Sequence, residues 1–387
     1  MELIKELPEV FEEFAEQRKN SFLAVKEAKE KGIPVVGSYC TYFPKELPMA
    51  IGAAAVSLCS MSGETIEVAE QDLPKNLCPL IKASYGFAKT DKCPYFYFSD
   101  LIVGETTCDG KKKAYEILGR DVPMHVMDMP QMKRPKDIEK WAEEIKDFKA
   151  VVEEFTGNEV TPEKLHAATV LLNKRRKALE RVFACRKADP APISGKDALL
   201  MMQIAFFDDP QRCTDMANAL ADELEKRIAD GVGVAPAGTK RILLAGTPMA
   251  IPNWKMHHLV ETSGAVVVCE ECCTGTRYFE HQVDETPTDT DGQIMALAQR
   301  YMKNNCACFT PNTGRIDDLL RLCKEYKVDG VIDVNLKFCT LYDTESRDVQ
   351  AALKDAGIPS LHIETDYDDH DAEQLRTRIG AFIEMLG

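Results

Sequence analysis

Hydrophobic and polar positions follow two rhythms along this chain: short apolar runs that close on glycine or cysteine, and longer charged stretches with apolar residues at helical spacing. The run 33–36 ends in Gly37 and Cys40 follows at once, where a buried strand of an open α/β sheet delivers its loop. Pro44 then opens a short helical pattern through Glu46, Leu47 and Met49, and 50–58 reads as the next strand. This unit of strand, cysteine, helix and strand recurs three times. The second copy has a strand over 98–103, Cys108, a helix over 111–118 capped by Asp109, and a returning strand over 122–127. In the third, V-V-V-C-E-E-C-C-T-G-T-R, Cys273 and Gly275 lie beyond a strand over 265–269. In the fourth, V-D-G-V-I-D-V-N-L-K-F-C-T-L-Y, Cys339 separates a strand over 330–334 from a helix over 344–356. Further strands read at 241–245 and 360–363, and Cys306 and Cys308 precede a helix over 316–326.

These patterns predict an α/β fold: two Rossmann-like (flavodoxin-like) parallel-sheet domains with an N-terminal helix and a helical connecting region. The expected divisions are an N-terminal helical segment over 1–31, a first α/β domain over 32–134, a helical region over 135–235 and a second α/β domain over 236–387. In the helical region Thr161, Pro162 and Glu163 make a good helix start, and the Gly/Pro-rich stretch 231–240 marks its end.

A length of 387 residues suits two cores rather than one. The longest apolar stretch, 50–59, falls far short of the roughly 20 residues a membrane span needs, and the acidic amphipathic N-terminus is unlike a signal peptide. A cytoplasmic protein is expected. Its net charge of -15 repels phosphate backbones and anionic lipid, so neither nucleic acid nor a membrane is an expected partner.

Fourteen cysteines in a reducing compartment are not a disulfide framework. Cys40, Cys108, Cys273 and Cys339 sit at strand exits, and Cys78 and Cys308 at helix or loop starts. Pro79 directly after Cys78 suits a first helical turn, which favours the thiolate. Six thiols aimed at one cleft suit a metal cluster better than isolated packing. Their spacing leaves competitors open: a zinc site of Cys269, Cys272, Cys306 and Cys308, or a redox pair at Cys269 and Cys272. Cys185, Cys213, Cys59 and Cys323 read as packing residues, and Cys93 as either ligand or buried thiol. The run 111–113, all lysine, reads as a solvated helix face, and His125, His257 and His258 have no partner that the sequence places. There is no G-x-x-x-x-G-K-[ST], and G-V-G-V-A-P-A-G precedes its strand instead of following it, so no nucleotide site is expected.

The segments G-S-Y-C-T-Y-F-P-K-E-L-P-M-A, N-L-C-P-L-I-K, D-L-I-V-G-E-T-T-C-D-G-K-K-K, F-C-T-L-Y and I-E-T-D-Y resemble the 2-hydroxyacyl-CoA dehydratase family over nearly the whole chain. The resemblance implies a single [4Fe-4S] cluster held by cysteines that match Cys40, Cys78 and Cys339. The additional Cys108, Cys273 and Cys308 make the chain similar to the double-cubane cluster branch, in which two cubanes share a bridging sulfide. Cys306 competes with Cys308, and Cys272 with Cys273. A separate homodimeric activator ATPase with its own [4Fe-4S] cluster is implied as partner. The expected protein is thus a homodimeric iron-sulfur reductase component acting on a small molecule at a double-cubane [8Fe-9S] cluster. The alternatives are a single-cubane dehydratase subunit and a non-catalytic zinc or electron-carrier scaffold.

Overall fold

The computed structural model describes residue 23 and residues 25–90, 92–250 and 252–387. Most of the N-terminal helix expected over 1–31 lies outside the described residues; within them 25–30 are helical, and Gly32 follows with φ 72°.

Two four-stranded sheets, each entirely parallel, carry the architecture. The first comprises β1 (Val35–Ser38), β2 (Ala54–Ser57), β3 (Leu101–Glu105) and β4 (Met124–Met127) in the order β2-β1-β3-β4. The second comprises β5 (Lys240–Gly246), β6 (Ala265–Glu271), β7 (Gly330–Leu336) and β8 (Ser360–Thr365) in the order β6-β5-β7-β8. Every residue of β1, β3, β6 and β7 is buried, because helices cover both faces of a parallel sheet, and this is why these strands read as unbroken apolar runs. In each sheet the strand order reverses at the centre, between β1 and β3 and between β5 and β7. Loops leaving such a pair run to opposite faces and leave a crevice at the carboxyl ends.

A helical layer of Pro135–Thr156, Pro162–Cys185, Gly195–Phe207 and Pro210–Ala229 joins the sheets. Its helix Pro162–Cys185 and the residue after it fasten both halves. Arg176 Nη2 donates to Glu46 Oε1 at 2.6 Å beside β1, and Arg186 reaches Glu270 on β6 at 2.6 and 2.8 Å, all four groups buried. The helix Thr290–Tyr301 lies between β6 and β7 in sequence yet packs on Pro135–Thr156. Its Ile294, Leu297 and Tyr301 share one core with Trp141, Ile145 and Phe148. This docks the two halves so that their crevices meet.

Three local expectations change. Residues 98–103 do not begin as strand: Pro94 opens a short helix, Pro94–Phe98, with the Cys93 sulfur accepting the Phe96 N–H at 3.4 Å. Cys108, not Asp109, is the cap of helix Asp109–Leu118. The helix after Cys339 starts at once, as Thr340–Asp355. Among the described residues no helix is long and apolar enough to cross a membrane.

Candidate metal centre

Six cysteines from both halves line one cavity of about 280 Å³: Cys40, Cys78, Cys108, Cys273, Cys306 and Cys339. Cys40 follows β1 and Cys273 follows β6. Cys78, Cys108 and Cys339 are the N-caps of helices Pro79–Lys89, Asp109–Leu118 and Thr340–Asp355. Unpaired N–H groups and the helix dipole at each N-terminus favour a sulfur in its anionic form. The Lys111 N–H points at Cys108 Sγ at 3.5 Å. Gly110 lets the first two of these helices close up, since a Cβ there would stand 2.8 Å from both Ile81 Cδ1 and Leu77 Cδ1. Behind Cys273 the chain turns back on itself at Gly275, where a Cβ would come within 2.2 Å of the Glu270 carbonyl oxygen.

Cys306 belongs to a tight turn in which the Phe309 N–H donates to the Cys306 carbonyl at 3.1 Å. Cys308, two positions on, is not among the wall residues; its thiol meets those of Cys306 and the Tyr42 hydroxyl. A hydrogen bond from Cys308 holds the Cys306 thiol well below its usual range, while burial opposes and Arg277 and Tyr342 assist. Cys78 is lowered in the same way by Cys339, again against burial. Burial pushes the thiols of Cys40 and Cys273 up to about 12. At Cys40 the Lys111 ammonium works against that rise.

Two cations approach this wall by different means. Lys111 was expected at a solvated helix face, but only Lys112 and Lys113 are exposed. Lys111 turns inward and its ammonium donates to the Tyr39 carbonyl at 3.4 Å. Arg277 is buried; it is held by Glu271 and donates from Nη1 to the Tyr342 hydroxyl at 2.5 Å, and that hydroxyl lies 3.5 Å from Cys306 Sγ. Glu271 is itself shared with Arg315 Nε at 3.1 Å.

A smaller cavity of about 80 Å³ adjoins the first, with Cys40, Lys111 and Cys273 common to both walls. Lys45, Tyr39, Thr41, Gln203 and Tyr278 also line it, and Lys45 Nζ donates to the Tyr278 hydroxyl at 3.2 Å. The buried Tyr39 hydroxyl has no hydrogen-bond partner among the described residues.

The donor set fits an iron-sulfur group. Among the described residues six soft sulfurs face the main cavity, no imidazole does, and the one carboxylate in its wall, Asp109, turns outward to Lys112 at 3.2 Å. Among the described residues no three His, Cys, Asp or Glu side chains converge on a single-ion position. The sulfurs stand around the cavity instead of pinching one point. The proposed zinc quartet is not assembled: Cys269 is fully buried with Cys323 in the core behind β6, whereas Cys306 and Cys308 pack against the core of the first half. Cys272 turns to Thr274 Oγ1 at 3.2 Å. Cys185 and Cys213 pack inside the helical layer, and Cys59 donates to the Tyr39 carbonyl at 2.7 Å beside the smaller cavity.

The sequence had left Lys45, Tyr39, Arg277 and Tyr342 without a function. Lys111 carried a readable signal, since it shares a helical stripe with the buried Ala114, Tyr115 and Leu118. Of the histidines, His257 Nε2 lies 3.1 Å from Glu270 Oε1 in the interior, and His125 stacks on Phe148 at 5.5 Å.

Residues 40–386 match the family model described as 2-hydroxyglutaryl-CoA dehydratase, D-component. Over 389 residues the chain is 44% identical to "Putative dehydratase subunit YjiM" of Escherichia coli (strain K12), covering all of both chains. It is 23% identical to the (R)-phenyllactyl-CoA dehydratase beta subunit of Clostridium sporogenes, over 94% of each chain. It is 22% identical to the (R)-2-hydroxyglutaryl-CoA dehydratase, subunit beta, of Acidaminococcus fermentans, over 97% of this chain and 99% of the relative.

Proposed function

The chain belongs to the 2-hydroxyglutaryl-CoA dehydratase D-component family, and we propose that within it the protein is an iron-sulfur reductase component with a double-cubane [8Fe-9S] cluster. The observation that carries this reading is the convergence of six cysteine side chains on one cavity, where three would suffice for a single cubane. Five are Cys40, Cys78, Cys108, Cys273 and Cys339. The sixth comes from the Cys306–Cys308 turn, and the position of Cys306 in the wall favours it over Cys308. Neighbour relations favour two triads. Cys78 meets Cys339 and Cys108, all three at helix starts, while Cys40 and Cys273 adjoin Cys306. When bound, the cluster would supply low-potential electrons.

The residues around it do the rest. The three helix N-termini and Lys111 offset negative charge on the thiolates. Arg277 orients the Tyr342 hydroxyl toward Cys306. The adjoining cavity, with Cys40 and Cys273 in its wall, leaves room for a small-molecule substrate beside the cluster. Electrons would come from a separate activator ATPase carrying its own [4Fe-4S] cluster, and two copies of the chain would form the working homodimer. The names of the relatives favour one second reading, a single-[4Fe-4S] subunit of a 2-hydroxyacyl-CoA dehydratase.

Iron and sulfide analysis of anaerobically purified protein separates these. The expected result is about eight irons per chain, twice a cubane's four. A reproducible four supports the dehydratase subunit, and zinc without iron overturns both.

A further inference from the structure

Lys111 is the only lysine or arginine among the described residues lining the thiol cavity, and it also lines the small adjoining cavity. Its ammonium makes no ion pair with any carboxylate among the described residues; the one hydrogen bond it donates goes to the Tyr39 carbonyl at 3.4 Å. Its neighbours on the same helix behave as surface lysines do, Lys112 with Asp109 and Lys113 with Glu116. A cation turned inward without an ion pair is costly, and the groups the structure sets around it are mainly sulfurs. The acidic groups acting on it are the Tyr115 phenol and the thiols of Cys40, Cys59 and Cys108. Glu105, the nearby acid on β3, is fully buried; neither of its oxygens is hydrogen-bonded among the described residues, burial favours its neutral form, and Lys111 opposes that without forming an ion pair.

Arg277 provides the contrast. It faces Cys273 and Cys306 from the other half, but its guanidinium is bound to Glu271, so its charge is already compensated. One side of the cavity therefore sees a neutralised ion pair, and the side of Cys40 and Cys108 sees a free positive charge.

We infer that Lys111 is the counter-ion of the bound cluster, a positioning residue whose charge, held in no ion pair, sets the cluster's reduction potential on the side that borders the small cavity. The inference rests on the cluster assignment proposed above. Added electron density is stabilised by a fixed cation in the same cavity wall through Coulomb attraction. The reduced state is favoured next to Cys40, where the small cavity opens.

The test compares wild type with Lys111→Met, Lys111→Gln and Lys111→Arg, each purified anaerobically as the full chain. Iron and sulfide are counted first, and the midpoint potential is then followed by electron paramagnetic resonance. The neutral variants should keep their iron and lower the reduced-to-oxidised ratio at a given potential at least tenfold, a shift of 59 mV to more negative values for one electron. Lys111→Arg should stay near wild type. Iron lost from both neutral variants but kept by Lys111→Arg also supports a role carried by charge. Full iron with an unmoved potential in Lys111→Met overturns the inference and leaves the cluster assignment standing, as does iron lost from all three variants. A wild-type chain without iron overturns the cluster assignment, and this inference with it.

Discussion

The Tyr342 hydroxyl stands 3.5 Å from the Cys306 sulfur and accepts a hydrogen bond from Arg277 Nη1 at 2.5 Å. A hydroxyl oxygen that accepts from a guanidinium turns its own proton elsewhere, and the sulfur is the partner at hand. Tyr342→Phe should keep the fold and the iron but remove a hydrogen bond from sulfur, shifting the potential of the loaded protein negative. Stability should fall by about 1–3 kcal/mol, because the buried Nη1 loses its acceptor. Thermal denaturation and a redox titration of the same preparation check the two effects. An unmoved potential would mean that the hydroxyl donates elsewhere.

Arg186 and Arg181 lie close in sequence but differ in surroundings. Arg186 and Glu270 are both buried, with two bonds of 2.6 and 2.8 Å between them and His257 Nε2 3.1 Å from Glu270 Oε1. Arg181 meets Asp222 and Glu225 in the open. Removing one member of a buried pair leaves a bare charge, so Arg186→Ala should cost about 3–5 kcal/mol. Arg181→Ala should cost about 0–1 kcal/mol. Chemical denaturation of the two variants side by side reads the difference, and equal losses would show that burial of the Glu270 pair is relieved by water.

The strands and the cysteines that follow them were legible for one physical reason. Strands covered on both faces must be apolar throughout, and the topology puts chemistry where such strands stop. Cys40, Cys108, Cys273 and Cys339 could be found this way, and Cys78 through the proline that starts its helix. Cys306 and Cys308 could not be told apart, because both sit in one tight turn and a half-turn of backbone decides which sulfur faces the cavity. Lys111 was hidden by its neighbours: three lysines in a row look like a wet surface, although the stripe with Ala114, Tyr115 and Leu118 turns the first of them inward. Arg277 and Tyr342 meet only through tertiary packing, so no local pattern announces them. The docking of helix Thr290–Tyr301 on the first half was unreadable for the same reason.

Burial raises Glu105 from the usual carboxylate value to about 7, with Lys111 opposing. A carboxyl group whose pKa is higher folded than unfolded contributes stability that is fully present below the unfolded value near 4.5 and is lost as pH rises toward 7. Glu105→Gln has no proton to lose there. The variant should match wild type near pH 4 and become the more stable of the two as pH rises, by on the order of 3 kcal/mol above pH 7. Denaturation midpoints across that range decide it, and a constant difference between the two proteins would mean that Glu105 does not titrate in the window.

Serine substitutions sort wall from filler among the thiols. Cys185→Ser and Cys213→Ser, both inside the helical layer, should leave iron content and visible absorbance unchanged. Cys108→Ser and Cys339→Ser should lower both. Within the turn, Cys306→Ser should lose more iron than Cys308→Ser, and the reverse order would return the ligand position to Cys308.

The sequence carries no phosphate-binding loop of the G-x-x-x-x-G-K-[ST] kind, and the proposed function assigns ATP hydrolysis to a separate activator ATPase. Reduction of a small substrate should need that ATPase, MgATP and a strong reductant together, and should cease when one is left out. The stoichiometry then separates the two readings of the family resemblance. A dehydratase subunit uses its electron catalytically, because elimination of water leaves the overall oxidation state of substrate and product unchanged and the electron returns to the site. Many turnovers follow each activation, and ATP hydrolysed per product falls well below one. A reductase passes electrons into its product and cannot recover them, so ATP consumption rises in fixed proportion to product however long the assay runs. The fixed proportion is expected here, given six thiols on one wall where three would serve a single cubane. A ratio that declines with turnover would assign the chain to the dehydratases, and turnover by the isolated chain without ATP would remove the need for an activator altogether.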